Sequence, residues 1–216
     1  ETFQEIEKEN DSRVIIITGE GRGFCSGADL ANGGWPSEEG MTGGEAGANN
    51  MEIGFNPLIR LITSIDKPVI TAINGIAAGG GVGLALSGDL IVASESAKFK
   101  LVFGPNLGII PDVGASWFVP NLIGRARANG MGLLGDDVSA KQAKEWGLIN
   151  HLCSQEELLP AAEKIANKIK RNSPLAIAKA IKSVNAGFID GVNGFEVEKK
   201  QFGACFGTDE FIEGTT

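Results

Sequence analysis

Two glycine-rich stretches contain the residues of this chain whose types and spacing could do chemistry. Residues 19–30 are rich in turn formers and end in the run Cys25-Ser26-Gly27-Ala28-Asp29-Leu30. Residues 67–89 open with a β-branched run and pass through a glycine triplet, Gly79-Gly80-Gly81, into an apolar segment. Glycine lets the backbone approach a ligand closely, and bare N–H groups at a helix start can hold a phosphate or an oxyanion. The glycine triplet alone is more often explained by close packing of a helix on a strand.

A third candidate is Asp112, which directly follows Gly108-Ile109-Ile110-Pro111. A carboxylate at this point could act as a general acid–base group. Its apolar neighbours would raise its pKa by desolvation, whereas the start of the following helix would lower the pKa. The plainer interpretation is that Asp112 caps that helix after proline, and both roles can hold at once.

The elements that must position these residues alternate between strands and helices. Short β-branched or apolar runs predict buried strands at residues 14–18, Val69–Ile73, 90–93, 98–102 and 147–153. Helical spacing predicts helices at residues 55–65, 117–122, 126–134, 139–146, 156–170, 174–186 and 192–206. The pattern indicates an α/β core over residues 1–153 and a helical region over residues 154–216. Residues 31–50 lack periodicity and are interpreted as a mobile loop beside the site.

Composition narrows the classes of function. The chain has 216 residues, of which 43% are hydrophobic and 21% charged, as expected for a globular protein. A net charge of −8 argues against nucleic acid as a partner, and no run is long enough to span a membrane. The three cysteines are too few and too scattered for a disulfide framework, which favours a reducing, cytoplasmic location. We also expect no metal site, because no cluster has metal-ligand spacing.

Several of these motifs together resemble the enoyl-CoA hydratase/isomerase (crotonase) superfamily. The resemblance rests on the order and spacing of residues 24–30, 67–89 and 108–111, with further matches at 124–127, 143–148 and 205–214. It implies a crotonase-type α/β spiral of ββα units followed by a C-terminal helical oligomerisation region. The family's N-terminal strand pair has no counterpart here, so we expect both ends of this sequence to be truncated.

The resemblance also implies roles for individual residues. Two backbone N–H groups, those of Ala28 and Gly80, would form an oxyanion hole for a thioester carbonyl. Pairing the glycine triplet with the 26–29 run makes this interpretation more probable than simple packing. The residues expected to contact the substrate or its coenzyme A portion are Cys25, Ser26, Gly27, Asp29, Leu30, Gly79, Gly81, Gly104 and Trp35. No cofactor is expected, since coenzyme A is part of the substrate.

The hydratase branch of the family uses two glutamates, and this chain has neither. The matching positions are occupied by Gly83 and Gly104, so the resemblance favours the isomerase branch, where a single carboxylate at the position of Asp112 acts. Proton transfer between two carbons of an enolate needs one base. The pattern is most similar to ring-1,2-epoxyphenylacetyl-CoA isomerases and predicts double-bond isomerisation in an acyl-CoA thioester.

Two alternatives remain open. The first is a hydratase or lyase of the same family that takes its second polar group from a loop glutamate: Glu38, Glu39, Glu45 or Glu52. The second is a non-catalytic acyl-CoA-binding member. The resemblance implies a homotrimer or a dimer of trimers, with apolar faces supplied by Ile165, Ile169, Ile177, Ile181, Val184 and Phe188. Asp89 at a helix end and the single histidine, His151, are interpreted as structural.

Overall fold

The computed structural model describes residues 2–9, 11–29, 40 and 42–189, which form two four-stranded sheets surrounded by helices. The first sheet is parallel, with the strand order β1 (Ile15–Thr18), β3 (Val69–Ile73), β5 (Leu90–Ser94) and β8 (His151–Cys153). The second has the order β2 (Gly23–Cys25), β4 (Ile76–Ala78), β6 (Lys98–Lys100) and β7 (Val138–Ser139). From β1 to β6 consecutive strands alternate between the two sheets, as expected for a ββα repeat, whereas β7 follows β6 in the second sheet.

Nine helices lie before, between and after the strands of the described residues. They are α1 (Thr2–Lys8), α2 (Gly43–Asn50), α3 (Asn56–Ser64), α4 (Gly80–Leu86), α5 (Ala115–Ile123), α6 (Arg125–Leu134), α7 (Ala140–Trp146), α8 (Leu158–Ile169) and α9 (Pro174–Ile189). Single π-helical turns at Met51–Phe55 and Phe103–Leu107 precede α3 and follow β6. Within the described ranges, no helix has both the length and the apolar character needed to cross a membrane.

Strand β3 lies at the centre of the molecule. All five of its residues are buried, as is typical of a parallel strand covered on both faces. On one face Ile70 and Ala72 pack against Leu158, Ala162 and Ala166 of α8. The other face contributes to the larger core, in which Phe99 and Leu148 are fully buried. The α/β class and the core strand are therefore confirmed.

Two predictions made from the pattern are wrong in detail, and three short strands were not predicted. Residues 43–50 form helix α2 instead of a loop, because Thr42 and Glu45 make a reciprocal capping box. The last strand is shorter than 147–153, since Gly147 ends α7 in the left-handed region with φ 85°. The short strands β2, β4 and β7 escaped prediction, because two or three residues give no visible alternation.

The helical region beyond residue 153 behaves differently from the expectation in one respect. Ile165 and Ile169 of α8 pack against the first sheet of the same chain, so this face is not free for a partner. On α9, Val184 and Phe188 are exposed. The helix predicted at residues 192–206 lies outside the described residues, and the domain boundary at residue 153 stays a prediction.

Candidate active site

Helix α4 has glycine at three positions where a side chain would meet the backbone or side chains of other segments. A Cβ on Gly81 would lie 2.2 Å from the carbonyl oxygen of Cys25, at the end of β2. A Cβ on Gly83 would lie 2.0 Å from the carbonyl oxygen of Val113. Real Cβ atoms do not approach this closely, so glycine is required for α4 to touch both segments. The helix is therefore held between the chain after β2 and the turn before α5.

The turn before β2 is fixed by the side chain of Asn74. Its Oδ1 accepts a hydrogen bond from Gly19 N–H at 3.0 Å, and its Nδ2 donates to the carbonyl oxygens of Gly21 and Gly23 at 2.9 and 3.1 Å. Gly75 allows the same approach, because a Cβ there would lie 2.1 Å from the carbonyl oxygen of Arg22. One asparagine thus sets where the chain enters β2 and continues toward Ala28.

The two proposed oxyanion-hole segments meet at the start of α4. Gly27 has φ 97°, and a Cβ on it would lie 3.2 Å from the Ala78 carbonyl oxygen and 3.7 Å from the Gly80 nitrogen. The turn that leads into Ala28 therefore lies against the first residue of the helix. As that first residue, Gly80 has an N–H group without an acceptor inside α4. The structure thus brings Gly27, the residue before Ala28, next to Gly80.

Asp112 lies next to the same helix start. A Cβ on Gly80 would lie 3.5 Å from Asp112 Oδ1. This oxygen is buried and has no hydrogen-bond partner among the described residues. Burial raises the pKa of the Asp112 carboxyl, and a backbone hydrogen bond only partly offsets the shift. A partly desolvated carboxylate with one oxygen free of hydrogen bonds is a suitable proton acceptor.

The helix-cap interpretation of Asp112 is wrong. Helix α5 begins at Ala115 with Gly114 as its N-cap, and the Asp112 side chain makes no cap hydrogen bond to it. Only the backbone takes part, through a 2.8 Å hydrogen bond from Ala115 N–H to the Asp112 carbonyl oxygen. The Asp112 carboxylate therefore does not cap α5.

Val113 has the most unusual backbone in this region and is not among the residues predicted from the sequence. Its φ is 51°, although valine is β-branched and rarely adopts the left-handed region. Its side chain is buried, and its Cγ2 would lie 2.9 Å from a Cβ on Gly80. Valine itself gives no sequence signal for such a turn. The only hints are the glycines at positions 80, 83 and 114.

The remaining residues predicted to contact substrate lie at different depths. Cys25 and Gly27 are half-buried, Gly79 and Gly81 are buried, and Ser26, Ala28, Asp29 and Gly104 are exposed. Gly79 has φ 55°, which suits the sharp entry into α4. Leu30 and Trp35 lie outside the described residues, as do Glu38 and Glu39.

The two loop glutamates that the structure describes already have hydrogen-bond or ion-pair partners. Glu45 accepts hydrogen bonds from the N–H and hydroxyl of Thr42, and these lower its pKa. Glu52 pairs with Arg60 at 2.6 Å, and hydrogen bonds from Arg60 and Asn56 lower its pKa to about 2. Carboxyls with lowered pKa values are weaker bases than Asp112.

Asp89 and His151 fit the structural interpretation. Asp89 Oδ2 accepts a 2.8 Å hydrogen bond from Val69 N–H, so it anchors the start of β3. His151 is exposed at the end of the first sheet. In the part of the chain that the structure covers, no group of three or more His, Cys, Asp or Glu residues could hold a metal ion.

Comparisons with known proteins give this geometry a context. A family model described as enoyl-CoA hydratase/isomerase matches residues 1–216. The 1,2-epoxyphenylacetyl-CoA isomerase of Escherichia coli (strain K12) is 38% identical over 191 residues, which cover 86% of this chain and 70% of that protein. The carnitinyl-CoA dehydratase of Salmonella enteritidis PT4 is 40% identical over 188 residues, covering 85% and 67%. The crystal structure of an enoyl-CoA hydratase from Bacillus anthracis matches with a TM-score of 0.88 and 34% identity, covering 99% and 81%.

Proposed function

Since this chain belongs to the enoyl-CoA hydratase/isomerase family, we propose that it isomerises the double bond of an acyl-CoA thioester with Asp112 as the acid–base group. The observation that carries the proposal is the buried, unpartnered Oδ1 of Asp112 beside Gly80. This places one carboxylate next to one proposed oxyanion donor. No second ionisable group is needed for a proton to move from one carbon to another.

The proposed reaction has two proton transfers. Asp112 takes a proton from C2 of a 3-enoyl thioester, and the electron pair of the broken C–H bond moves into the thioester carbonyl. The N–H groups of Ala28 and Gly80 donate hydrogen bonds to the resulting enolate oxygen. Asp112 then returns the proton to C4, which leaves the double bond between C2 and C3. Each preorganised donor of this kind typically raises the reaction rate by roughly 10²–10³-fold.

Two features of the site support isomerisation over hydration. Position 83 is filled by the Val113 carbonyl oxygen, so a glutamate there would require the turn to move. Position 104 is less tightly enclosed, and a Cβ on Gly104 would lie 3.3 Å from the Gly132 carbonyl oxygen. Neither position supplies a carboxylate to activate water. Glu45 and Glu52 are held in their own hydrogen bonds.

A second candidate is hydration or dehydration at the same site, which the 40% identity to a carnitinyl-CoA dehydratase favours. It also proceeds through an enolate, so the oxyanion donors would be shared. The 38% identity to a 1,2-epoxyphenylacetyl-CoA isomerase makes a ring-epoxide thioester a further substrate to test, in keeping with phenylacetate breakdown.

The deciding experiment compares the purified full chain on 3-enoyl-CoA, 2-enoyl-CoA, 3-hydroxyacyl-CoA and 1,2-epoxyphenylacetyl-CoA. We expect formation of the conjugated thioester from 3-enoyl-CoA and no loss of conjugation from 2-enoyl-CoA. Water addition to 2-enoyl-CoA would support the second candidate instead. Tight acyl-CoA binding without turnover of any of these substrates would indicate a non-catalytic member.

The Asp112→Asn variant tests the residue assignment. Asparagine keeps the shape but cannot take up and return a proton, so turnover should fall by roughly 10²–10⁴. Acyl-CoA binding and the fold should survive. Exchange of the C2 protons with deuterated solvent should disappear together with isomerisation. Full activity in this variant would show that the base lies elsewhere.

We also propose self-association into a homotrimer or a dimer of trimers through α9. Phe188 packs edge-on against Trp117, with 5.4 Å between the ring centroids, whereas Val184 is 70% exposed. Replacing Val184 by Asp should reduce the molecular mass measured by sedimentation without unfolding the chain. The exposed Lys182 on the same helix provides a control position. An unchanged mass for Val184→Asp would exclude this surface as the interface.

A further inference from the structure

The turn formed by Asp112, Val113 and Gly114 has an unusual backbone for its sequence. Val113 and Gly114 both lie in the left-handed region, with φ 51° and 80°. Glycine accepts this conformation freely, but a β-branched residue is strained there. Strained residues persist only where their surroundings hold them, and they cluster at functional sites. The neighbours of Val113 therefore indicate what the strain achieves.

Val113 contacts α4 at two positions one helical turn apart. Its carbonyl oxygen occupies the space where a Cβ of residue 83 would stand, and its Cγ2 packs over Gly80. Residues three apart share a helix face, so the turn is seated on the face that carries the proposed oxyanion donor. The valine side chain is buried in the main core, which holds the turn against α4.

We propose that Val113 is a positioning residue, which sets the distance between the Asp112 carboxylate and the Gly80 N–H through backbone contacts with α4. This inference rests on the proposed acid–base function of Asp112. Asp112 Oδ1 has no hydrogen-bond partner among the described residues, and the hydrogen bond that lowers the pKa of this carboxyl comes from the backbone of Asp112 itself, so the position of the carboxylate depends on the turn. A displacement of about 1 Å at a catalytic group can cost 10²-fold in rate, so such a device has a measurable effect.

Packing alone is the competing explanation, and it makes a different prediction. If Val113 only filled the core, a glycine there would lose apolar contacts and reduce stability, but the folded molecules would keep their turnover. If Val113 positions Asp112, turnover must fall in the folded molecules as well. Stability and turnover therefore have to be measured separately, at a temperature where each variant is folded.

Two variants of Val113 separate these effects. Val113→Gly relieves the backbone strain and releases the turn, and we expect kcat to fall by about 10²-fold with little change in KM. Val113→Thr keeps the shape and the β-branching but buries a hydroxyl, so we expect lower stability with nearly normal kcat. Normal kcat in Val113→Gly, or equal losses of kcat in both variants, would overturn the proposal.

A change on the helix side tests the same contact from the other direction. In Gly83→Ala the new Cβ must displace the Val113 carbonyl oxygen, so kcat should fall as in Val113→Gly. Gly130→Ala in α6 is the matched control, because a Cβ at Gly130 meets nothing within 4 Å. It should leave kcat unchanged. A Gly83→Ala variant with normal kcat would contradict the inference.

A double-mutant cycle with Asp112→Asn distinguishes failure of the inference from failure of the proposed function. If Val113 acts through Asp112, Val113→Gly should cause little further loss of the turnover that remains in the Asp112→Asn background. Inactive Asp112→Asn together with fully active Val113→Gly would overturn only the positioning role. Fully active Asp112→Asn would overturn both proposals.

Discussion

Helices α4 and α8 both pack on strand β3, but α4 also contacts two further segments, the end of β2 and the turn at Val113. Helix α8 presents side chains at a regular spacing, and Leu158, Ala162 and Ala166 cover one face of the first sheet. Helix α4 also buries Val82, Ala85 and Leu86, but its glycines at positions 81 and 83 admit the backbone of two other segments. The α8 contact is apolar burial, whereas the α4 contact fixes where backbone groups stand.

This difference separates the scaffold from the site. Side-chain packing can relax when an atom is lost, because neighbouring side chains move into part of the space. A carbonyl oxygen at the position of a missing Cβ cannot move without shifting the chain. We therefore expect changes in α8 to alter stability, and changes around α4 to alter turnover.

The largest effect is expected from Leu158→Ala in α8. Leu158 is 2% exposed, and truncating a fully buried leucine costs about 2–5 kcal/mol of unfolding free energy. The turnover of folded molecules should remain normal, as denaturant unfolding and steady-state kinetics would show. Leu159→Ala is the control, since Leu159 is 46% exposed and its loss should change stability little. A large loss of kcat in Leu158→Ala would remove the distinction between the helices.

The next effect concerns the chain that meets α4. Ala28→Pro removes the proposed N–H donor but keeps a small apolar side chain, so turnover should fall by at least about 10²-fold, with added loss from strain. Ala28→Ser retains the donor and should stay active. Equal damage in both variants would mean that the side-chain site matters and the amide does not.

Gly81→Ala should affect stability and turnover together. The added Cβ would lie 2.2 Å from the Cys25 carbonyl oxygen, so β2 or α4 must shift. Overpacking of this kind costs about 1–3 kcal/mol of unfolding free energy. Thermal unfolding and kcat should both decrease, whereas Gly130→Ala should leave both nearly unchanged. An unchanged melting temperature and kcat for Gly81→Ala would show that the two segments can separate at little cost.

The smallest effect is the dependence of stability on pH at Asp112. Burial raises the pKa of this carboxyl in the folded state, so the folded protein binds the proton more tightly than the unfolded chain. Stability is therefore lost as pH rises from the ordinary aspartate pKa through the raised value. Asp112→Asn should melt slightly higher than the parent at neutral pH, and the difference should vanish at acidic pH below the ordinary pKa. A lower melting temperature for this variant at neutral pH would contradict the prediction.

The sequence predicted those parts of the fold whose pattern is long and local. Val69–Ile73 is a run of β-branched and small residues, and the strand has the bounds that the run indicates. Ser139 is the N-cap of α7, because its hydroxyl accepts a hydrogen bond from Gln142 N–H at 3.2 Å. Strands β2 and β4 depend on pairing with each other, and nothing in three residues reveals a partner far along the chain.

At the site, the sequence indicated which residues matter but not why they are arranged as they are. The motifs pointed to Ala28, Gly80 and Asp112, and the structure places the segments that carry them side by side. The glycine at position 83 looked like the loss of a glutamate. Only the fold shows that the Val113 carbonyl oxygen occupies its place, since a left-handed valine contradicts every local preference.

The position of β8 beside β5 has a consequence for how the protein reaches this structure. The hydrogen bond from Ile91 N–H to Asn150 Oδ1 spans 59 positions of the sequence, and the one from Gly19 N–H to Asn74 Oδ1 spans 55. Chains dominated by such distant pairings fold on a scale of about milliseconds to seconds. During synthesis, β8 cannot pair with β5 until Cys153 has left the ribosome, after every described segment of the site has emerged. The first sheet should therefore be completed only late in synthesis, when the described segments of the site are already available.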